Sequence, residues 1–400
     1  MTREDFFAEL AKLDSKFNHL GAELELTVRD PLLGVEGYVV VWTTLTAIGG
    51  PLGRCGKGGT RITPTVSLDE VRMLARTMAL KNAAAGLPLG GAKSGLKADP
   101  NAPDFEAKYR RFVSLVKPIL RENGGVFGGF GFDIGGKPIH AQWACSELGS
   151  TRSFTGKSVE MGGTDYDREG IAGFGVVVAA LTMLEQFGEK AAACTCAIQG
   201  LGAMGAAVYR YISEHGVRVQ SISDPRLGGT FRLSPDLAAA LIDPVRVQDF
   251  TEIKRLLDQH HAERIALDRV LYEPTDILFP CAVQGVISTV NQAQLQARYI
   301  VEAANNPCAE ESRTLLWNRG VTVIPDFIAN PGGIIAAFVE MASGITPEEN
   351  VRTRHNVNEA KRLTTEKIRG NVAQVLTIAK DLHVEPVQAA RYLALKNVFK

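Results

Sequence analysis

Apolar residues recur at changing intervals along the chain, and in its first part they outline a strand followed by a helix. Residues 37–46 are mostly β-branched and aromatic, which predicts a strand. Ser67 and Glu70 have the spacing of a capping box and predict the start of a helix, whose apolar stripe ends near Gly86. Lys81 lies on the flank of that stripe, so we expect its side chain to face the protein or a cleft.

Two glycine-rich segments in this part each hold one ionisable side chain. The segment 87–95 (LPLGGAKSG) contains Lys93, and the segment 124–136 contains Asp133. Glycine lets the backbone approach other groups closely. We interpret both segments as loops, because 87–95 is too rich in glycine for a regular element.

From about residue 170 the pattern changes to short apolar runs that alternate with helical stretches. The runs that predict strands lie at 194–199, 217–223, 276–280, 299–303 and 321–325. This alternation is typical of a parallel, doubly wound sheet. The tail from about residue 346 is polar and is predicted to be helical.

The turn after the first of these strands has a dinucleotide-binding pattern. Glycines at the first, third and sixth positions of GLGAMG (200–205) allow a tight turn, close approach of a pyrophosphate and close packing of the following helix. Asp224 lies 24 residues past Gly200, near the spacing of a residue that binds ribose hydroxyls. Arg226 is a candidate for the 2′-phosphate of NADP, so we favour NAD but keep NADP open. The predicted cofactor-binding residues here are Gly200, Gly202, Ala203, Met204, Gly205, Asp224 and Arg226.

Composition and charge narrow the class of protein. The chain of 400 residues is long enough for two domains, and its 44 basic residues balance its 44 acidic ones. This balance gives no indication of nucleic acid or a membrane surface as a partner. No apolar stretch reaches the roughly 20 residues of a membrane span, and no secretory pattern is present. The six cysteines form no CxxC pair, which favours free thiols in the cytoplasm and no metal site.

Three lysines and one aspartate have the chemistry that an amino-acid substrate requires. Lys57, Lys81 and Lys93 offer a cation for an α-carboxylate and a base for water, since burial can lower the pKa of a lysine. Asp133 offers an acceptor for an amino group. The pattern is consistent with amino-acid chemistry but does not by itself require it.

Several of these segments resemble the Glu/Leu/Phe/Val dehydrogenase family, and the resemblance covers nearly the whole chain. The segments that carry it are 57–61 (KGGTR), 78–95 (MALKNAAAGLPLGGAKSG), 131–135 around Asp133, 199–205, 223–224, 301–307 (VEAANNP) and 325–333 (PDFIANPGG). The separations Lys57 to Lys81 to Lys93 to Asp133, which are 24, 12 and 40 residues, are similar to those of glutamate dehydrogenases.

The resemblance implies a role for each of these residues. Lys93 would be the catalytic lysine that activates water, and Asp133 would handle the amino group and its proton. Lys81 would bind the α-carboxylate, and Lys57 the side-chain carboxylate of glutamate. The resemblance also assigns Gly58, Asn330 and Ala337 to substrate binding and Cys281, Ala282 and Asn305 to cofactor binding.

Some positions depart from the glutamate-specific pattern. Ala337 stands where those members have a serine, and 81–87 (KNAAAGL) and 280–282 (PCA) resemble leucine and phenylalanine dehydrogenases. A buried Lys57 facing an apolar side chain would cost several kcal/mol, which favours a dicarboxylic substrate. We therefore predict reversible NAD(P)-dependent deamination of L-glutamate to 2-oxoglutarate and ammonia. A leucine-, phenylalanine- or valine-type dehydrogenase and a catalytically idle nucleotide-binding subunit are the alternatives.

The resemblance also implies the architecture. We expect an α/β protein with an N-terminal substrate-binding and oligomerisation domain, residues 1–165 plus 346–400. A Rossmann-type, doubly wound dinucleotide-binding domain would span residues 166–345. By analogy with the family we expect a homo-oligomer, with a hexamer as the expected form.

Overall fold

The computed structural model describes residues 1–400 and contains two main sheets. The strands are β1 (Leu24–Asp30), β2 (Val35–Thr43), β3 (Gly56–Lys57), β4 (Thr60–Thr63), β5 (Gly90–Lys97), β6 (Phe130–Gly131), β7 (Phe154–Thr155), β8 (Thr195–Gln199), β9 (Arg218–Asp224), β10 (Gly229–Arg232), β11 (Arg264–Ile265), β12 (Ile277–Pro280), β13 (Tyr299–Val301) and β14 (Thr322–Ile324). The α-helices are α1 (Arg3–Asn18), α2 (Leu68–Ala84), α3 (Phe105–Val116), α4 (Pro138–Leu148), α5 (Ile171–Gln186), α6 (Ala203–Glu214), α7 (Pro235–Ala240), α8 (Ile242–Arg246), α9 (Phe250–Gln259), α10 (Glu310–Asn318), α11 (Asp326–Ala329), α12 (Gly332–Ala342), α13 (Pro347–Thr353), α14 (His355–Leu382) and α15 (Pro386–Val398).

The first sheet has β5 near its centre. Its order is β1-β2-β5-β3, and β4 also pairs with β5. β1 and β2 run antiparallel to each other and β2 runs antiparallel to β5, whereas β3 and β4 run parallel to β5. A separate short pair, β6 and β7, lies in the same part of the chain.

β5 runs through the glycine-rich segment 87–95, so the prediction of a loop there was wrong. The glycines serve close packing. A Cβ at Gly91 would lie 2.3 Å from the backbone nitrogen of Ala79 on α2, and one at Gly90 would lie 2.1 Å from the carbonyl oxygen of Thr43. Glycine inside a strand commonly marks such a close approach of another backbone.

The second sheet has the doubly wound arrangement that the sequence predicts. Its order is β11-β10-β9-β8-β12-β13-β14, and the five strands from β9 to β14 in that order are parallel. β10 and β11 continue the sheet in antiparallel pairing. Chain order reverses on either side of β8, and the carboxyl end of such a strand is where α/β sheets bind ligands.

The predicted ends of the two best-defined helices are confirmed. The Ser67 hydroxyl accepts a hydrogen bond from the backbone N–H of Glu70 at 3.2 Å and caps α2. α6 begins in the GLGAMG segment and ends just before Gly216, whose φ is +81°.

The tail is helical, as predicted, and its helices contact both parts of the molecule. α14 packs against α5 and α12, and α15 packs against α2 and α1. A single cluster of 68 buried residues includes side chains from both parts and from this tail. The domain limits given above stay a prediction, since this shared core does not mark a boundary. No helix of the chain combines the length and the apolar character needed to span a bilayer.

Candidate active site

Lys93 and Asp133 form the ion pair at the centre of the site. Lys93 lies on β5 and Asp133 in the loop after β6, and Lys93 Nζ is 2.9 Å from Asp133 Oδ2. The Lys93 side chain is 7% exposed and that of Asp133 is 19% exposed. The structure thus brings together two residues that are 40 positions apart in the sequence.

Arg61 is a second cation on the same carboxylate. Its Nε lies 3.0 Å from Asp133 Oδ2, and its Nη1 lies 2.7 Å from Glu70 Oε1. Burial raises the pKa of the Asp133 carboxyl, but the charges and hydrogen bonds of Lys93 and Arg61 outweigh burial and hold the pKa below its ordinary value. The aspartate is therefore ionised at neutral pH.

Lys57 lies on β3 with its side chain almost fully buried. Its ammonium donates hydrogen bonds to the carbonyl oxygens of Gly58, Gly129 and Phe130 at 3.2, 2.9 and 2.5 Å, and it forms an ion pair with no carboxylate of the chain. A Cβ at Gly131 would lie 3.3 Å from its Nζ. Burial lowers the pKa of the Lys57 ammonium to about 7.

Gly58 follows Lys57 where no side chain fits. A Cβ at Gly58 would lie 1.9 Å from the carbonyl oxygen of Ala92, so the chain passes close to β5 at this point. Ala337 is buried on α12. Met341 lies one turn further along that helix, and its side chain and that of Lys57 both border Gly128.

Glu340 and Lys157 form a buried ion pair close to Lys57 that sequence reasoning missed. The Glu340 side chain is completely buried, and its Oε2 lies 2.8 Å from Lys157 Nζ. The carboxylate also accepts hydrogen bonds from the backbone N–H groups of Gly156 and Thr164 and from the Thr164 hydroxyl. A signal was available, since Glu340 is the one acidic residue in the apolar helix GGIIAAFVEMA, and buried carboxylates are almost always paired.

Lys81 reaches from the first part of the chain to the second. Its Nζ on α2 lies 3.3 Å from Asn305 Oδ1, which also accepts from Asn330 Nδ2 at 3.3 Å. Burial lowers the pKa of Lys81, and the nearby carboxylate of Asp326 opposes this effect. Asn330 is buried, and its Oδ1 has no hydrogen-bond partner in the protein, which leaves an acceptor for a ligand.

The GLGAMG turn has the features of a phosphate cradle. Gly200 has φ +87°, and a Cβ at Gly205 would lie 1.8 Å from the carbonyl oxygen of Gly200, so helix and turn pack as closely as predicted. Around Gly202 there is open space, and α6 begins there without a side-chain cap, which leaves its N–H groups for an anion. Ala203 and Met204 form the exposed and half-exposed start of this helix. The residues present therefore fit a dinucleotide.

Cys281 and Ala282 lie against the same turn. The Cys281 backbone N–H donates to Gln199 O at 2.9 Å, and a Cβ at Gly200 would lie 2.7 Å from the Ala282 methyl group. The structure therefore places these two residues beside the GLGAMG turn at the carboxyl end of β8, and their role in cofactor binding stays a prediction. The Cys281 side chain is buried and that of Ala282 is exposed.

Asp224 ends β9, and its carboxylate is engaged by the chain itself. It accepts hydrogen bonds of 2.8 to 2.9 Å from the backbone N–H of Leu201 and from the backbone and guanidinium of Arg226. Burial raises the pKa of Asp224, but these hydrogen bonds outweigh burial and lower it overall. The Arg226 guanidinium lies over the Phe250 ring at 3.7 Å. A half-exposed cation thus covers the acidic residue predicted to bind ribose.

Two models of one protein family match this chain. Residues 162–400 match Glutamate/Leucine/Phenylalanine/Valine dehydrogenase, and residues 26–143 match Glu/Leu/Phe/Val dehydrogenase, dimerisation domain. The chain belongs to this family. The dehydrogenase is accordingly an enzyme that oxidises an amino acid with NAD or NADP, and the predicted two-domain α/β fold is confirmed.

Curated relatives and a solved structure extend this similarity. The dehydrogenase is 31% identical to the NADP(+)-dependent glutamate dehydrogenase of Pyrobaculum calidifontis over 312 residues, 74% of this chain and 73% of the relative. It is 29% identical to the glutamate dehydrogenase of Thermotoga maritima over 390 residues, 93% of this chain and 88% of the relative. Its fold matches that of hetero-hexameric glutamate dehydrogenase from Thermus thermophilus with a TM-score of 0.76 and 22% identity, over 98% of this chain and 95% of the other.

Proposed function

We propose that the dehydrogenase catalyses the reversible oxidative deamination of L-glutamate to 2-oxoglutarate and ammonia. The observation that carries this proposal is Lys57, a buried ammonium that has no carboxylate partner in the chain. Burying an unpaired charge is costly, and the side-chain carboxylate of glutamate would supply the missing partner. The names of the curated relatives support the same substrate.

In this proposal Lys93 and Asp133 carry the chemistry between them. The nicotinamide ring, when bound, supplies the acceptor for the hydride that leaves the substrate Cα. Lys93 then takes a proton from a water molecule as the water oxygen bonds to Cα of the resulting iminium. Asp133 receives that proton from Lys93 and passes it to the nitrogen. The C–N bond then breaks and ammonia departs, while the new hydroxyl group returns its proton to Lys93 and the carbonyl forms. The short Lys93–Asp133 distance of 2.9 Å allows the two groups to exchange protons.

Lys81 and Asn330 would hold the substrate and the cofactor between the two parts of the molecule. The Lys81 ammonium would bind the α-carboxylate, for which it would release Asn305. The buried, unpartnered amide oxygen of Asn330 would accept a hydrogen bond from the bound ligands. Residues 1–165 plus 346–400 would then form the substrate domain and residues 166–345 the nucleotide domain, and closure between them would exclude water.

One observation favours the second candidate, a dehydrogenase of apolar amino acids. A lysine ammonium has three N–H donors, and all three donors of Lys57 already have carbonyl acceptors. With Ala337 on the neighbouring helix, the side-chain pocket would then offer no group to a carboxylate. In that case the three carbonyl oxygens would be the partners of the buried ammonium, and Lys57 would need no carboxylate from a substrate.

The test is a panel of amino acids assayed by nicotinamide absorbance with wild type and Lys57→Leu. A charge-assisted hydrogen bond to a carboxylate contributes roughly 1.5–3 kcal/mol, so kcat/KM for glutamate should fall about 10- to 150-fold while that for leucine holds or rises. Lys97→Leu, at the exposed end of the neighbouring strand, is the matched control and should change neither value. Wild type that prefers leucine, or unchanged glutamate turnover in Lys57→Leu, would overturn the proposal.

We also propose a homo-oligomer, hexameric by analogy with the family, and a cytoplasmic location. The presence of a dimerisation-domain match supports assembly of copies of the chain. All six cysteines are free and buried, which supports a reducing compartment.

A further inference from the structure

The two oxygens of the Asp133 carboxylate have different surroundings. Oδ2 lies 2.9 Å from Lys93 Nζ and 3.0 Å from Arg61 Nε. Oδ1 takes part in no hydrogen bond or ion pair of the chain, although the side chain is still 19% exposed. Because both cations bind Oδ2, they fix the orientation of the carboxylate and leave Oδ1 for an incoming donor.

Arg61 is itself fixed in place. It lies on β4, whose register with β5 sets Thr60 opposite Ser94 and Arg61 opposite Gly95, two residues after Lys93 along the strand. Its Nη1 forms a 2.7 Å ion pair with Glu70 in the first turn of α2. A guanidinium held at two points is a rigid donor, which a lysine in the same place would not be.

We propose that Arg61 is a positioning residue of the reaction: it shares Oδ2 of Asp133 with Lys93 and so presents Oδ1 to the amino group of the substrate. This inference rests on the proposed roles of Lys93 and Asp133, but not on glutamate as the substrate. Glu70 takes part indirectly, because it fixes the direction of the Arg61 side chain.

Removing Arg61 has two consequences. Asp133 would keep Lys93 as its single cation. Its carboxylate would then be free to rotate, and Oδ1 as well as Oδ2 could accept a hydrogen bond from Lys93. The charged and titratable groups around Asp133 would then be Lys93 on β5, Lys81 on α2 and the Tyr166 hydroxyl. With less positive charge nearby, the pKa of Asp133 would rise toward its ordinary value.

The experiment compares Arg61→Met and Arg61→Lys with wild type, using the amino acid that wild type oxidises best. We expect Arg61→Met to lower kcat about 10- to 100-fold with a smaller change in KM, because misplacement of a catalytic group by about 1 Å costs that much. The acidic limb of its kcat/KM profile should move to higher pH. Arg61→Lys, which keeps the charge, should keep the acidic limb near its wild-type position and recover only part of kcat.

Two further measurements separate positioning from a structural role. The melting temperature and the Kd for NADH should stay close to wild type in both Arg61 variants. Arg72→Met, which removes an exposed arginine of α2 that pairs with Glu25 and Asp69, should leave kcat and the pH profile unchanged. An unshifted acidic limb in Arg61→Met, or a loss of activity matched by lost NADH binding in both Arg61 variants, would overturn the inference. Failure of wild type to oxidise any amino acid would instead overturn the proposed function.

Discussion

At the scale of single residues, the state of each charge in the site depends on the partner that the fold gives it. Asp133 has two cations and is held ionised, whereas Lys57 has only carbonyl oxygens and its pKa falls to about 7. The Asp224 carboxylate accepts two hydrogen bonds from the guanidinium of the neighbouring Arg226. Residue type alone would describe none of these differences, because each depends on the contacts that the folded chain provides.

The pairing of Asp224 and Arg226 leads to a prediction about cofactor preference. Arg226 is the exposed cation at the place where the adenosine ribose is expected, so Arg226→Gln should lower the ratio of kcat/KM with NADP to kcat/KM with NAD about 10- to 100-fold. Turnover with NAD should hold or improve, because Asp224 becomes available to ribose hydroxyls. Steady-state kinetics with both cofactors measure this ratio.

A matched control for this variant lies on the helix that begins at Phe250. Arg255→Gln removes another exposed arginine from α9 that pairs only with neighbours on the same helix. It should leave the ratio as in wild type. An unchanged ratio in Arg226→Gln as well would show that Arg226 does not meet the cofactor.

At this scale the sequence indicated several residues that the structure brings together in the candidate site, and the limit of that prediction has a physical cause. Lys93, Asp133 and the GLGAMG turn lie in local motifs, so they were predictable from spacing and resemblance. Arg61 lies in the KGGTR motif, but its partner Asp133 is 72 residues away in the sequence. Nothing local to either residue indicates that they meet.

At the scale of secondary-structure elements, packing overrides local propensity at β5. Strands β8, β12, β13 and β14 were predictable because buried parallel strands are near-continuous apolar runs, and β9 was predictable from its place between the helix after GLGAMG and Asp224. β5 has glycine at three positions of GGAKSGLK and resembles a loop in sequence. It is a strand because α2 lies directly against it, which only a residue without a side chain at Gly91 permits. The identity of this element therefore depends on the packing of the preceding helix against it.

A second prediction concerns α12 and the loop that follows β7. Glu340 receives five hydrogen bonds there, so Glu340→Leu leaves the buried Lys157 ammonium without a carboxylate, although it keeps Phe154 O, and leaves two backbone N–H groups without an acceptor. We expect it to lower the free energy of unfolding by about 3–5 kcal/mol. Lys157→Met should cost less, since Glu340 would keep its remaining donors. Urea denaturation of the single variants measures both values.

The control for this pair is an exposed ion pair on α14. Glu359→Ala breaks the pair with Arg362, whose side chain is 59% exposed, and should cost less than about 1 kcal/mol. If Glu340→Leu costs no more than Glu359→Ala, the buried pair does not hold α12 in place.

At the scale of the whole molecule, the two parts of the chain share a core through the tail. The cluster of 68 buried residues runs from α2 through α14 and α15 to the second sheet. Ile368 on α14 packs against Gly175 of α5 and lies within this cluster. Units that share one core unfold together more readily than units joined by a linker.

We therefore expect one cooperative unfolding transition at a fixed protein concentration. Trp42 on β2 and Trp317 on α10 report separately on the two parts when the other tryptophans are replaced by phenylalanine. Their fluorescence midpoints in urea should coincide. Ile368→Ala should lower both midpoints by the same amount, because it should reduce the free energy of unfolding of the whole chain by about 2–5 kcal/mol. Two separated transitions, or a loss confined to one reporter, would contradict this expectation.

The contact between the tail and α2 also bears on the order in which the enzyme is made. Asn371 on α14 and Asn397 on α15 donate hydrogen bonds to Ala84 O and Ala83 O, the last carbonyls of the helix whose final turn carries Lys81. A ribosome makes α2 early and α15 more than 300 residues later. The lysine that would bind the α-carboxylate therefore gains its final support only after α15 has been synthesised. During translation, the cleft is among the last parts of the molecule to reach its mature form.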